Sequence, residues 1–211
     1  MLNKIKMNIE KKYFELKIIV EHLLEDGLSD NLFYHKISHT MKDVLSCATY
    51  LAKQEKLNEH DTYLLLIAVL FHDTGYVFQY SKNESIGQQI ASEYLKLYNF
   101  SQKDIERVKN IIHATIVDFK KGYPIQNPDK EDILQKIMCD ADLVNIGHKD
   151  FFEQTENLIM EMEANGKQID KKSWWSSQYK FLINHKYFTI SAKKKLFIQK
   201  QKNLSKIIQK L

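Results

Sequence analysis

Four side chains of the kinds that bind divalent cations are spread over three separate parts of the chain: His39, the adjacent pair His72 and Asp73, and Asp142. Mixed imidazole and carboxylate ligands suit Mn, Fe, Co, Ni or Zn, and also Mg where oxygen predominates. Four such ligands leave coordination positions for water and for a substrate oxygen. A site of that kind lowers the pKa of bound water and polarises a phosphoryl group.

The pair His72–Asp73 directly follows an uninterrupted apolar run over residues 64–71. A run that is apolar on every side predicts a helix buried all round, and this run is too short to cross a bilayer. The chain therefore carries an imidazole and a carboxylate into its interior. Burial of an ionised carboxylate has to be compensated, either by a bound cation or by a satisfied His–Asp hydrogen bond.

Two histidines fall in a helix predicted over residues 34–54, His39 and a further one, His35. His35 and His39 are four residues apart, so in a helix they share one face, and that face is nearly opposite the apolar stripe. They are therefore not ordinary core histidines. Either they are exposed, or they face a second buried feature such as a site.

The composition predicts an all-α fold, because 211 residues contain only six glycines and two prolines. We expect a single domain over residues 1–211, with the motif-bearing core at about 30–150 and C-terminal helices 151–211 packed on it. Residues 120–129 form the one clear long loop. Two cysteines make no disulfide framework, and we expect neither a secretory leader, because the N-terminal residues are highly charged, nor a transmembrane segment. We expect a cytoplasmic protein.

The charge is unevenly distributed along the chain. Residues 171–211 contain 11 lysines and no acidic residue, whereas the preceding part carries 20 basic and 27 acidic side chains. A basic segment can bind nucleic acid or an anionic membrane, but it is more often the solvated face of a helix. Nucleic acid is thus a minor candidate partner and a membrane is not expected, while a homodimer stays open.

Four short motifs follow one another along the chain: Tyr34-His35-x-x-x-His39-Thr40, Leu70-Phe71-His72-Asp73-x-Gly75-Tyr76, Asn83-Glu84-Ser85 and Asp140-Ala141-Asp142-Leu143-x-x-x-Gly147. Their order and spacing resemble the HD-domain superfamily of metal-dependent phosphohydrolases over about residues 30–150. Residues 174–189 more loosely resemble the C-terminal helices of uncharacterised bacterial HD hydrolases. The resemblance implies a helical bundle in which His39, His72, Asp73 and Asp142 bind a divalent metal.

The resemblance also implies catalytic roles. Tyr34-His35 looks like the Tyr-His that precedes the first ligand in cyclic-nucleotide phosphodiesterases, which makes His35 the general-acid candidate. Asp73 or Asp142 would position the attacking water, and Glu84 would accept a hydrogen bond from that water or orient a ligand.

Two further residues are candidates for substrate contact. Two-metal phosphodiesterases have a histidine where this chain has Tyr76, so a second metal is not implied and Tyr76 becomes a candidate for substrate binding. His113, which lies off the apolar stripe of its helix, is the other candidate, either to bind phosphate or to contribute to a second metal site.

The expected function is hydrolysis of a phosphate ester, of a nucleotide or cyclic nucleotide, by metal-activated water. The metal could be Mn, Fe, Mg, Co, Ni or Zn, and the partner is a small phosphorylated substrate. The alternatives are a phosphomonoesterase of the 5'-nucleotidase type and a non-catalytic nucleotide-binding or nucleic-acid-associated helical protein. All four ligand positions are filled, which favours an enzyme.

Overall fold

The computed structural model describes residues 2–119 and 121–211, with side chains from residue 9 onward. Within these ranges no β-strand forms, and the α-helices are α1 (Leu2–Gly27), α2 (Leu45–Gln54), α3 (Glu59–Phe71), α4 (Asn83–Leu97), α5 (Gln102–His113), α6 (Ile133–Asp142), α7 (Phe151–Ala164), α8 (Lys171–Asn184) and α9 (Ile190–Ile207). The predicted all-α fold is confirmed. No helix in the described part of the chain has the length and apolarity needed to cross a membrane.

Helix α3 lies at the centre of the fold. The side chain of Asn58 caps its N-terminus by accepting a hydrogen bond from the backbone N–H of Asp61 at 2.9 Å. Every residue from 64 to 71 is buried, and α3 contacts α1, α2, α4, α5 and α6. The predicted burial of this apolar run is therefore confirmed, and the His72–Asp73 pair at its end is held by helices on several sides.

The C-terminal helices α7 and α8 pack around a second apolar cluster. Its buried members are Ile146, Phe151, Trp175, Phe181, Leu182 and Ile207. Helix α9 contributes to both clusters, because Leu196 belongs to the central core and Ile207 to the second one. These contacts place α7 and α8 beside the end of α6, where Asp142 lies. The single domain over residues 1–211 stays a prediction.

Asp140 joins α6 to the segment that links α8 and α9. Its fully buried carboxylate accepts hydrogen bonds from Phe188 N at 2.9 Å, from Thr189 N at 2.8 Å and from the Thr189 hydroxyl at 2.7 Å. A buried carboxylate with three donors satisfies groups that would otherwise be unpaired. Asp140 therefore has a structural role, although it stands two residues before a candidate metal ligand.

We expect Asp140→Ala to lower the free energy of unfolding by roughly 2–4 kcal/mol, because the buried donors of residues 188 and 189 would lose their acceptor. Urea unfolding of the variant and the wild type measures this difference. Asp30→Ala, which truncates an exposed carboxylate, is the control and should change the free energy by less than about 0.5 kcal/mol. Equal losses in the two variants would contradict the structural role of Asp140.

Two predicted helix boundaries are wrong, and both errors lie near the site. The helix predicted from residue 34 begins only at residue 37 and first forms a π-helical turn, His39–Val44. Apolar positions from Ile105 to Phe119 predict a second helix that continues to about residue 119. Helix α5 ends instead at His113, and the chain then turns back so that Asp118 pairs with Ile125.

Candidate metal centre

The side chains of His39, His72, Asp73 and Asp142 converge on one small volume. His72 Nε2 lies 3.1 Å from Asp73 Oδ2 and 3.5 Å from Asp142 Oδ1. His39 Nε2 lies 3.7 Å from the same Asp73 oxygen and 3.6 Å from the same Asp142 oxygen. The π-helical turn, the end of α3 and the end of α6 thus bring two imidazoles and two carboxylates together, as the sequence predicts.

Two of these ligand atoms are buried without a hydrogen bond. His72 Nδ1 lies 2.8 Å from the carbonyl oxygen of Val69, so Nδ1 carries the proton and Nε2 presents a lone pair to the centre. Neither His72 Nε2 nor Asp73 Oδ2 has a hydrogen-bond partner among the described residues. Leaving buried polar atoms unpaired is costly. Potential ligand atoms of His39, His72 and Asp73 all lie within 4.8 Å of one another, so the donor set fits a divalent cation.

Side-chain amides hold the second oxygen of each carboxylate. Asn83 Nδ2 donates to Asp73 Oδ1 at 3.4 Å, and Gln126 Nε2 donates to Asp142 Oδ2 at 2.6 Å. Gln126 is itself fixed by a second hydrogen bond to the carbonyl oxygen of Thr115 at 3.1 Å. Each carboxylate is thereby oriented with its other oxygen towards the centre, as in well-formed metal sites.

Two glycines allow α4 to lie directly against the His72–Asp73 turn. A Cβ atom on Gly87 would lie 2.6 Å from the carbonyl oxygen of Phe71 and 2.9 Å from that of His72. A Cβ atom on Gly75 would lie only 1.9 Å from the carbonyl oxygen of Asn83. Since backbone cannot move aside cheaply, glycine is required at both positions. The close approach brings Asn83 to Asp73.

The electrostatics of the four side chains favour bound positive charge. Burial opposes ionisation of Asp142, but the nearby imidazoles of His39 and His72 outweigh burial and hold its pKa well below the usual range. Burial likewise opposes protonation of His72, yet the charge of Asp73 raises the pKa of His72 well above its ordinary value. Protons and a metal ion compete for the same imidazole nitrogen, so metal affinity should fall with falling pH.

His35 lies beside this centre and is held by Glu161 of α7. Its Nδ1 is 2.5 Å from Glu161 Oε1, while Glu161 Oε2 accepts the backbone N–H groups of Tyr34 and His35 at 2.9 Å each. This carboxylate is fully buried. It holds the backbone of residues 34 and 35 in the bend that precedes the helix.

The Glu161 carboxylate favours a charged imidazole at His35. Burial lowers the pKa of His35, but the hydrogen bond with Glu161 and the charge of Asp73 outweigh burial and raise that pKa. The ring of His35 stacks on Tyr76 at a centroid distance of 4.4 Å, and its Nε2 lies 3.3 Å from the Tyr76 hydroxyl. One ring nitrogen of His35 is therefore held by a carboxylate, and the other is hydrogen-bonded with Tyr76 beside the cavity.

A cavity of about 590 Å³ opens onto the centre, and its lining includes His35, Asp73, Tyr76, Glu84 and Asp142. Burial raises the pKa of Tyr76 well above its ordinary value, so its hydroxyl is protonated and able to donate a hydrogen bond. Burial, followed by the charge of Asp73, also raises the pKa of Glu84. Both residues thus lie where the sequence places them, next to the candidate ligands.

His113 is not brought to this cavity. It is exposed at the end of α5, where its neighbours Ile111 and Ile112 occupy the buried face of the helix. It is also absent from the cavity lining. The prediction that His113 contacts substrate has no support in this geometry.

Sequence reasoning missed Glu161 and Gln126. Glu161 lies 126 residues after His35, in a helix interpreted only as packing, and no local pattern marks it. Gln126 lies in the predicted loop, where neither periodicity nor a motif identifies a buried residue. Asn83 was part of a motif, but its contact with Asp73 could be assigned only from the structure.

The model of one protein family, the HD domain, matches residues 37–147, which is more than half of the chain. The matched range contains all four converging ligand candidates and excludes His35 and Glu161. No curated protein is significantly similar to this chain.

Proposed function

Because this chain belongs to the HD domain family, a superfamily of metal-dependent phosphohydrolases, we propose that it hydrolyses a phosphate ester of a nucleotide or cyclic nucleotide. The observation that carries the proposal is the convergence of two imidazoles and two carboxylates, with His72 Nε2 and Asp73 Oδ2 buried and unpaired. A core His–Asp hydrogen bond, the alternative interpretation, would have left neither atom without a partner.

His39, His72, Asp73 and Asp142 would hold the ion, with two nitrogen and two oxygen donors. This set suits Mn, Fe, Co, Ni or Zn, and Mg to a lesser degree. A divalent ion there supplies Lewis acidity, which lowers the pKa of bound water and polarises the phosphoryl group. Asp73, on the cavity side, accepts a hydrogen bond from the attacking water and orients it, and Glu84 offers a second acceptor nearby.

His35 donates the proton that the leaving alkoxide oxygen needs. The Glu161 carboxylate favours the protonated imidazole and holds one ring nitrogen, while the ring of Tyr76 stacks on the imidazole. A positioned general acid contributes about 10² to 10⁴ in rate. After transfer, the neutral imidazole regains its proton from water through the open cavity.

Glu161→Gln should lower turnover about 10-fold and leave the metal content unchanged, because Gln keeps the shape but not the charge that holds the His35 proton. Steady-state kinetics and metal analysis of the same preparation measure the two effects. Glu163→Gln, an exposed position on the same helix, is the matched control and should behave as wild type. Loss of metal in Glu161→Gln, or wild-type turnover, would overturn this positioning role.

The proposed function is tested by stripping the purified protein of metal, reloading it with Mn and screening phosphomonoesters, cyclic nucleotides and other diesters. Hydrolysis of at least one class, lost on chelation and restored by Mn, is expected. Hydrolysis of monoesters alone would select the 5'-nucleotidase alternative. A folded, metal-loaded protein that hydrolyses none of them would refute the proposal.

A further inference from the structure

Helix α9 is held against the rest of the protein by one face only. Its buried side chains include Leu196 and Ile207, which belong to the two apolar clusters. Asn203, on the same face, donates hydrogen bonds to the carbonyl oxygens of Ile146 at 3.0 Å and His148 at 2.8 Å. These contacts fix the orientation of the helix, so its opposite face is turned away from the protein.

The outward face of α9 carries bulky apolar side chains. Ile190, Phe197 and Ile208 are separated by seven and eleven residues, which is close to two and three whole turns, so they lie in one line along the helix. Ile198 lies beside this line, and we call these four residues the apolar row. Ile190 is 70% exposed, Ile198 69% and Phe197 41%. Apolar side chains grouped in this way on a fixed helix indicate a contact surface.

Positive charge accompanies the apolar row. Helix α9 contains no acidic residue, and Lys195 and Lys200 are engaged within the protein, over the ring of Tyr50 and with the carbonyl oxygen of His185. The remaining lysines are exposed, and among the described residues none of them forms an ion pair with a carboxylate. They are Lys193, Lys194, Lys202 and Lys206. The outward face therefore presents uncompensated positive charge next to apolar side chains.

We infer that the outward face of α9 binds the surface of an anionic membrane. The apolar row would enter the boundary between headgroups and acyl chains, while the lysines contact the anionic headgroups. No helix in the described part of the chain could span a membrane, so the helix would lie in the plane of the lipid surface. The lysine-rich sequence alone predicts a solvated face, and the exposed apolar row is the observation that changes this interpretation. The inference is independent of the proposed function.

A second copy of this chain fits the outward face less well. In a two-fold contact the same surface meets itself, so the lysines of one α9 would lie against the lysines of the other. No acidic residue occurs between residues 171 and 211 to pair with them. The repulsion between these charges opposes self-association through this face.

Nucleic acid and acidic proteins each match only part of the surface. Phosphates would satisfy the lysines, but isoleucine has no ring on which a base can stack, and Phe197 is the only aromatic member of the apolar row. An acidic protein would need a groove about 27 Å long to cover a row that runs from Ile190 to Ile208. A lipid surface accepts a row of this length on a convex helix without any groove.

The test measures sedimentation of the full chain with vesicles of phosphatidylcholine alone and of equal parts of phosphatidylcholine and phosphatidylglycerol. The double variant Phe197→Ser, Ile198→Ser removes two exposed apolar side chains, and Leu97→Ser, at a 74% exposed position on α4, is its matched control. Lys194→Gln tests the charge, with Lys103→Gln at an exposed position on α5 as control. Urea unfolding checks each variant, and Ile198→Ser alone repeats the test should the double variant not fold.

We expect the chain to bind the mixed vesicles, with an affinity lowered about tenfold or more in the double variant and about fivefold in Lys194→Gln. Both controls should bind as wild type, and added salt should weaken binding. Absence of binding, equal binding to phosphatidylcholine alone, or full affinity in the double variant would overturn the inference. Binding of an oligonucleotide in place of the vesicles would overturn it in favour of nucleic acid, and a dimer that the double variant dissociates, without vesicle binding, would assign the face to a second copy.

Discussion

Asp142→Ala is expected to lose bound metal and activity together, with turnover falling by about 10³-fold or more. Asp142 Oδ1 lies 3.5 Å from His72 Nε2 and 3.6 Å from His39 Nε2, so it faces both imidazoles of the centre. Its removal takes away one of two negative charges and leaves Gln126 without the carboxylate that it orients. Metal analysis after dialysis, followed by assay with added Mn, measures both losses.

Asp142→Asn separates the loss of a charged ligand from a local collapse. The Asn side chain keeps the shape and one acceptor for Gln126 but lacks the negative charge. We expect this variant to unfold at the same urea concentration as wild type and still to lose most of its metal. If purified Asp142→Ala retained as much metal as wild type, the assignment of this ligand would be wrong.

His35→Ala is expected to keep its metal, while its turnover number falls by a factor of about 10² to 10⁴. The loss should be large for esters whose alkoxide leaving group needs a proton. It should be much smaller for a p-nitrophenyl ester, because that phenolate departs without protonation. The His35 ring makes its closest polar contact with Glu161 and is stacked on Tyr76, which places it beside the centre as a proton donor.

The two esters therefore report on different properties of His35. Equal losses of turnover on the two esters would show that His35 binds substrate or stabilises the fold and does not protonate the leaving group. Loss of metal would show that His35 supports His39, whose ring lies 5.7 Å away between centroids. The ratio of the two losses, measured with metal content in the same preparation, decides among these roles.

The buried helix and the convergence of the ligand candidates could both be predicted from the sequence. The run over residues 64–71 needs only its own apolarity to be recognised as buried, and all of it is buried in α3. His72 and Asp73 follow it directly, and His39 and Asp142 could be grouped with them through motif order. Local sequence patterns and the family resemblance were thus sufficient to identify the four ligand candidates, because each candidate lies within a recognisable motif.

The supporting residues could not be predicted, because their roles depend on contacts between distant parts of the chain. Glu161 accepts the backbone N–H groups of residues 34 and 35, which lie in a bend where periodicity predicts a helix. Gln126 reaches Asp142 from a loop without any repeating pattern. His113 lies off the apolar stripe as the sequence indicates, but it is exposed and does not line the cavity, so its contact with substrate stays a prediction.

The most direct test of the account is anomalous diffraction from crystals grown with Mn, collected on both sides of its absorption edge. The account predicts a manganese peak bonded to His39 Nε2, His72 Nε2, Asp73 Oδ2 and Asp142 Oδ1 together. A structure in which manganese binds elsewhere, and in which His72 Nε2 donates a hydrogen bond to Asp73 Oδ2, would contradict the account.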